Sequence, residues 1–65
     1  MTARDLAMHY VQHRSLDAMA DSIRALSPAE ARDIRNFFQP YTRNPVFAAM
    51  MAEFEDLAPG GGGAE

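Results

Sequence analysis

Four residues near the start of the chain have the types and spacing that metal or acid-base chemistry uses. Asp5, His9, His13 and Asp17 recur every fourth position, so an unbroken helix would set them in a ladder along one face. Two histidines one turn apart can share a zinc ion with a carboxylate as third ligand. A usable centre also needs ligands from a second element and partners that orient them. The sequence supplies neither, so the ladder reads as two Asp-His pairs on a solvated or interface face. No metal and no cofactor are expected, and His9, His13, Asp5 and Asp17 remain the residues to inspect. No serine or cysteine lies beside them in a defined cleft, and a chain of 65 residues has little room for a pocket. The expectation is that this is not an enzyme.

The second set of side chains points to binding. Phe37, Phe38, Tyr41 and Phe47, with Arg35 and Arg43 among them, place most of the aromatic content in one short stretch. Aromatic rings dominate the cores of small domains, and Tyr and Arg beside exposed Phe are also the types enriched where proteins meet. Both readings stand: a packed corner between two helices, or a binding surface. Further on, Met50 and Met51 flanked by Phe47 and Phe54 give a soft apolar face suited to a partner groove or to an intramolecular neighbour. Glu53, Glu55 and Asp56 follow at the helix end where the macrodipole disfavours them, so such a helix draws its stability from packing. The candidate partner-binding residues are therefore Phe37, Phe38, Tyr41, Arg43, Phe47, Met50, Met51 and Phe54. Phe47→Asp or Met51→Asp is expected to abolish association while leaving helicity.

Charge and composition narrow the partner. Nine acids against six bases, all arginine, give a net charge of −3, and residues 46–65 carry no base at all. Direct nucleic-acid binding lacks the clustered positive surface that phosphate contacts require. No apolar run approaches the roughly 20 residues of a membrane span, and no signal-peptide pattern opens the chain. Without cysteine there is neither a disulfide nor a thiolate metal site, which fits a cytoplasmic protein. At this length hydrophobic burial and chain entropy nearly cancel. Dimerisation or docking on a larger protein is the expected source of the missing stability.

The elements that must position these residues are helices. Thr2 with Asp5 reads as a capping box, starting a helix near Ala3. Leu16, Met19 or Ala20, Ile23 and Leu26 continue an amphipathic stripe. Leu6 and Tyr10 share a face, while Met8 and Val11 lie well around the cylinder, and Ser15 with Asp17 offers a fresh cap after a break near Arg14. One long helix or two nearly collinear ones fit this segment. Ser27-Pro28-Ala29-Glu30 starts the next helix, with Ile34, Phe37 and Phe38 as its apolar face and Pro40 as its stop. Asn44-Pro45 repeats the same grammar before Val46, Phe47, Met50, Met51, Phe54 and Leu57, and the last helix runs to about Ala58. The expected fold is all-α: a hairpin or bundle of three or four short helices over residues 1–58, with a flexible Gly-rich tail over 59–65.

Three segments resemble known families. Leu26 to Phe38 looks like the last helix of small cytochromes c, although no cysteine is present to attach haem. Met1-Thr2, Asp5, Met8 and Ser15-Leu16-Asp17 are similar to the start of the Hha/YmoA family of helical regulators, which bind a nucleoid protein. Ile34-Arg35-Asn36-Phe37-Phe38-Gln39-Pro40 with Arg43 resembles a stretch in the small delta subunit of NAD-dependent formate dehydrogenases, from which Tyr41-Thr42 and Pro45 depart. The last two resemblances imply a protein that works by docking on a larger one. The expected function is a small non-enzymatic protein-protein interaction module, an adaptor, inhibitor or accessory subunit. The alternative is a small transcription regulator acting through DNA or a nucleoid protein.

Overall fold

The structure, a computed structural model, describes residues 1–59, and the glycine-rich stretch expected to form a flexible tail lies almost wholly outside the described residues. Four α-helices follow one another: α1 (Ala3–His13), α2 (Ala20–Arg24), α3 (Pro28–Phe38) and α4 (Pro45–Leu57). Single 3-10 turns at Asp17–Met19 and Gln39–Tyr41 lead into α2 and out of α3. There is no strand among the described residues.

The starts of α1, α3 and α4 are written in their first residues, whereas α2 follows its 3-10 turn without a side-chain cap. The Thr2 hydroxyl accepts the Asp5 N–H and the Asp5 carboxylate accepts the Thr2 N–H, both at 3.2 Å. Ser27 and Glu30 close the same reciprocal box at α3, with Pro28 in the first turn where its missing amide costs nothing. At α4 the Asn44 side chain accepts the Val46 N–H at 2.9 Å.

The long first helix is interrupted. Arg14 takes a left-handed conformation (φ 53°, ψ 29°) and caps α1 by donating its N–H to the Tyr10 carbonyl. Ser15 Oγ then accepts the Asp17 N–H, which restarts the chain as a 3-10 turn. A single helix through this segment is thus ruled out, and the reason is tertiary. The N–H of the fully buried Leu16 donates to Glu53 Oε1 on α4 at 3.0 Å, an arrangement a continuous helix would not offer.

Pro40 ends α3 differently from the expected way. Gln39 stays right-handed helical (φ −50°, ψ −48°) and the chain tightens into a 3-10 turn, because Pro40 has no N–H to extend the i to i−4 ladder. At the far end Ala58, before Pro59, is extended (φ −78°, ψ 145°), as the ring of a following proline demands.

The core gathers one stripe from each helix: Leu6 and Tyr10 from α1, Ile23 from α2, Ala31, Ile34 and Phe38 from α3, and Met50, Met51 and Phe54 from α4. Leu16 and Leu26 seal the connections. The radius of gyration is 10.6 Å. That is close to the ~10–11 Å of a packed chain of this length.

Two acids that the helix dipole disfavours serve as ties between helices. Glu53 holds the α1–α2 turn as above. Glu55 accepts from Arg35 Nε at 2.6 Å, and the same guanidinium donates to the Pro59 carbonyl and lies 5.7 Å from the Phe54 ring centre. Arg35 therefore fastens α3 to the end of α4 through a partly buried pair.

Candidate docking surface

The expected binding residues divide into two groups. Phe38, Met50, Met51 and Phe54 are core side chains, so they pack within the chain. Of the two readings of the α4 face, the intramolecular neighbour is the one realised. Met51 is 9% exposed, so Met51→Asp would place a carboxylate in the core, and the expectation that it leaves helicity intact is withdrawn. Phe37, Tyr41 and Arg43 are exposed, and Phe47 is partly buried against the core. Phe37 corrects the reading of α3: it points outward at 53% exposure while its neighbour Phe38 points inward at 2%.

The exposed rings are held by the buried one. Phe37 meets Phe38 edge to face at 5.0 Å, Phe38 lies 5.8 Å from Phe47, and Tyr41 stands 5.9 Å from Phe37 and 6.2 Å from Phe47. These separations fall within the range of favourable aromatic pairs. Phe38 is thus the buried member of a cluster whose outer rings, Phe37 and Tyr41, face solvent. Arg4 and Ala7 of α1 complete the walls of an open groove of about 280 Å³ against these rings. Arg43 is exposed but does not line it.

The surface does not stop at the aromatic cluster. Ala7 also lines a second groove, with Met8, Val11 and Gln12, along the outside of α1. Phe37 also lines a third, with Met1, Ala3, Ile34 and the acids Glu30 and Asp33. Among the described residues the large apolar side chains that remain exposed are Met1, Met8, Val11, Phe37 and Tyr41, and all five border these three connected grooves. Exposed apolar residues scattered singly need no explanation, whereas residues gathered along connected grooves make this surface the candidate docking site. Met8 and Val11 were not among the candidates from the sequence. Their signal was present, however, as two apolar residues on α1 off the Leu6–Tyr10 stripe.

The histidine ladder is not assembled. His9 and His13 share α1 with ring centres 4.4 Å apart, but the helix ends at His13 and Asp17 belongs to the next turn of structure. Asp5 is engaged in the cap. Among the described residues no group of three or more His, Asp or Glu side chains is placed to hold a metal ion.

No family model, curated protein or solved structure matches this chain. The segmental resemblances in the sequence therefore rest on those segments alone. Among the described residues no helix is long and apolar enough to cross a membrane.

Proposed function

We propose that the chain is a small, non-enzymatic protein-interaction module of the cytoplasm that works by docking on another protein through the belt formed by α1 and the α3–α4 corner. One observation carries this reading: among the described residues every large apolar side chain left exposed borders one connected surface, and the rings at its centre pack on a buried one. Rigid aromatic contacts of this kind supply interface area at low entropic cost. The absence of cysteine fits a reducing compartment.

Site-specific photocrosslinking in cells tests it. A photoreactive residue placed at Met8 or at Tyr41 should trap discrete protein adducts, because both side chains are about half exposed on the belt. The same residue at Asp21, whose side chain is fully exposed in the Arg24 pair, should trap none. Equal labelling from all three positions would overturn the reading, as would adducts with nucleic acid.

A further inference from the structure

The five methionines of the chain divide sharply by exposure. Met50 and Met51 are 0% and 9% exposed within the core, and Met19 is partly buried against it. Met8 is 52% exposed on the outside of α1, and Met1 follows at 40%. A thioether is oxidised according to its access to the oxidant, so a buried sulfur reacts through transient openings of the fold. Oxidation of the folded chain is therefore directed to the surface, and first to Met8.

Met8 also stands where such a change is felt. It lines the outer groove of α1 with Ala7, Val11 and Gln12, and Ala7 joins this surface to the groove walled by Phe37, Phe38, Tyr41 and Phe47. It is no part of the buried core or of the side chains packed against it. A polar group at its sulfur changes the outer surface and leaves the interior packing alone.

We propose that Met8 is a site of reversible oxidation, and that its sulfoxide weakens docking on the belt while the fold persists. The oxidant is hydrogen peroxide. A lone pair on Met8 Sδ attacks one peroxide oxygen, and the S–O bond forms as the O–O bond breaks. The proton of the transferred oxygen passes to the leaving hydroxide, which departs as water. The thioether loses two electrons and the peroxide gains them. The product is a polar, chiral side chain of nearly the same size, and burying its S–O dipole against an apolar partner without a hydrogen bond is unfavourable. A thiol-dependent sulfoxide reductase reverses the step, releasing the oxygen as water while two thiols join in a disulfide. This inference rests on the docking surface proposed above and adds its regulation.

The full chain, treated with hydrogen peroxide and digested, is mapped by mass spectrometry. Met8 sulfoxide should form more than about tenfold faster than sulfoxide at Met50 or Met51, with the circular dichroism unchanged. Equal rates at Met8 and the core methionines would overturn the selectivity. Docking is read with the photoreactive residue at Tyr41, by adding the chain to a cell lysate before and after treatment, the peroxide having been removed. The treated chain should give about tenfold less of the adducts formed by the untreated one. Sulfoxide reductases acting on both epimers should restore them, and Met8→Gln should lose them without any oxidant. In Met8→Leu the yield, whatever its starting level, should no longer respond to peroxide. Unchanged adducts from a chain fully oxidised at Met8 would overturn the regulation and leave the docking surface standing. A response that persists in Met8→Leu would overturn the assignment to Met8. No adducts from the untreated chain would overturn the docking reading, and this inference with it.

Discussion

Helix α1 carries two apolar stripes, and they meet different fates. Leu6 and Tyr10 are 0% and 5% exposed, while Met8 and Val11, within the same two turns, are 52% and 53% exposed. The next helix but one repeats the contrast between adjacent residues, with Phe38 inside and Phe37 outside. Residue type cannot explain the difference, since the side chains on the two sides are equally apolar. Position decides it. The inward set packs into the core that the four helices share, and the outward set stays about half exposed to solvent. The inner stripe is therefore a matter of stability, and the outer one is the surface proposed above for docking.

Breaking the inner side has the largest expected effect. Leu6→Ala should cost about 2–5 kcal/mol, the loss of buried methyl groups plus the cavity left behind. A domain this small holds rarely more than about 3–5 kcal/mol of net stability. Leu6→Ala should therefore unfold a large share of the population, visible in the far-UV circular dichroism before any denaturant is added. Met8→Ala and Val11→Ala should each stay within about 0.5 kcal/mol of wild type in urea unfolding. Equal losses at the two stripes would remove the distinction between a core face and a docking face.

Much of this fold was readable from short-range grammar. Thr2 to Asp5, Ser27 to Glu30 and Asn44-Pro45 each specify a helix start through hydrogen bonds that span at most three residues, and each is made as expected. What could not be read were the choices that depend on distant partners. The interruption at Arg14 is completed by Glu53, 37 residues after Leu16. The inward turn of Met50, Met51 and Phe54 depends on α1, α2 and α3 arriving to cover them. Half of the candidate docking residues were accordingly core residues. Met8 and Val11 were passed over because they broke a periodicity, although a second face is what such a break records.

The Glu53 tie gives the comparison an intermediate test, since it joins the turn after α1 to α4 without touching the outer stripe. Glu53→Gln keeps an acceptor and should be mild, whereas Glu53→Ala leaves the Leu16 N–H without its partner in a partly buried site, at a cost of about 1–3 kcal/mol. Amide exchange at Leu16 should accelerate strongly in the alanine variant and little in the glutamine one. Photocrosslinking from Met8 should be unchanged in whatever fraction stays folded, because Met8 and Val11 lie on the exposed side of α1, away from the Glu53 tie. A loss of crosslinking in parallel with the faster exchange would mean that the two faces are coupled.

The smallest effect concerns Glu30, at the start of α3. Its carboxylate accepts the Ser27 backbone N–H at 2.9 Å. That bond, then the Ser27 hydroxyl, holds its pKa below the ordinary value of 4.5. A group whose pKa is depressed on folding contributes stability above its unfolded value and loses it as pH falls through the folded one. The capping contribution should thus be intact at neutral pH and fade below about pH 4.5. Glu30 is fully exposed, so solvent screens the effect, and it should appear in the local helix signal before it appears in global unfolding. A carboxyl-carbon NMR titration should place the Glu30 midpoint below that of Glu30 in a short unfolded peptide of the same sequence. Ser27→Ala removes the hydroxyl but keeps the backbone N–H, so it should move the midpoint only part of the way back to the peptide's value. An unshifted midpoint in the wild type would mean that the reciprocal cap is not held in solution. The start of α3, and with it the angle at which Phe37 and Phe38 divide between surface and core, would then depend on packing alone.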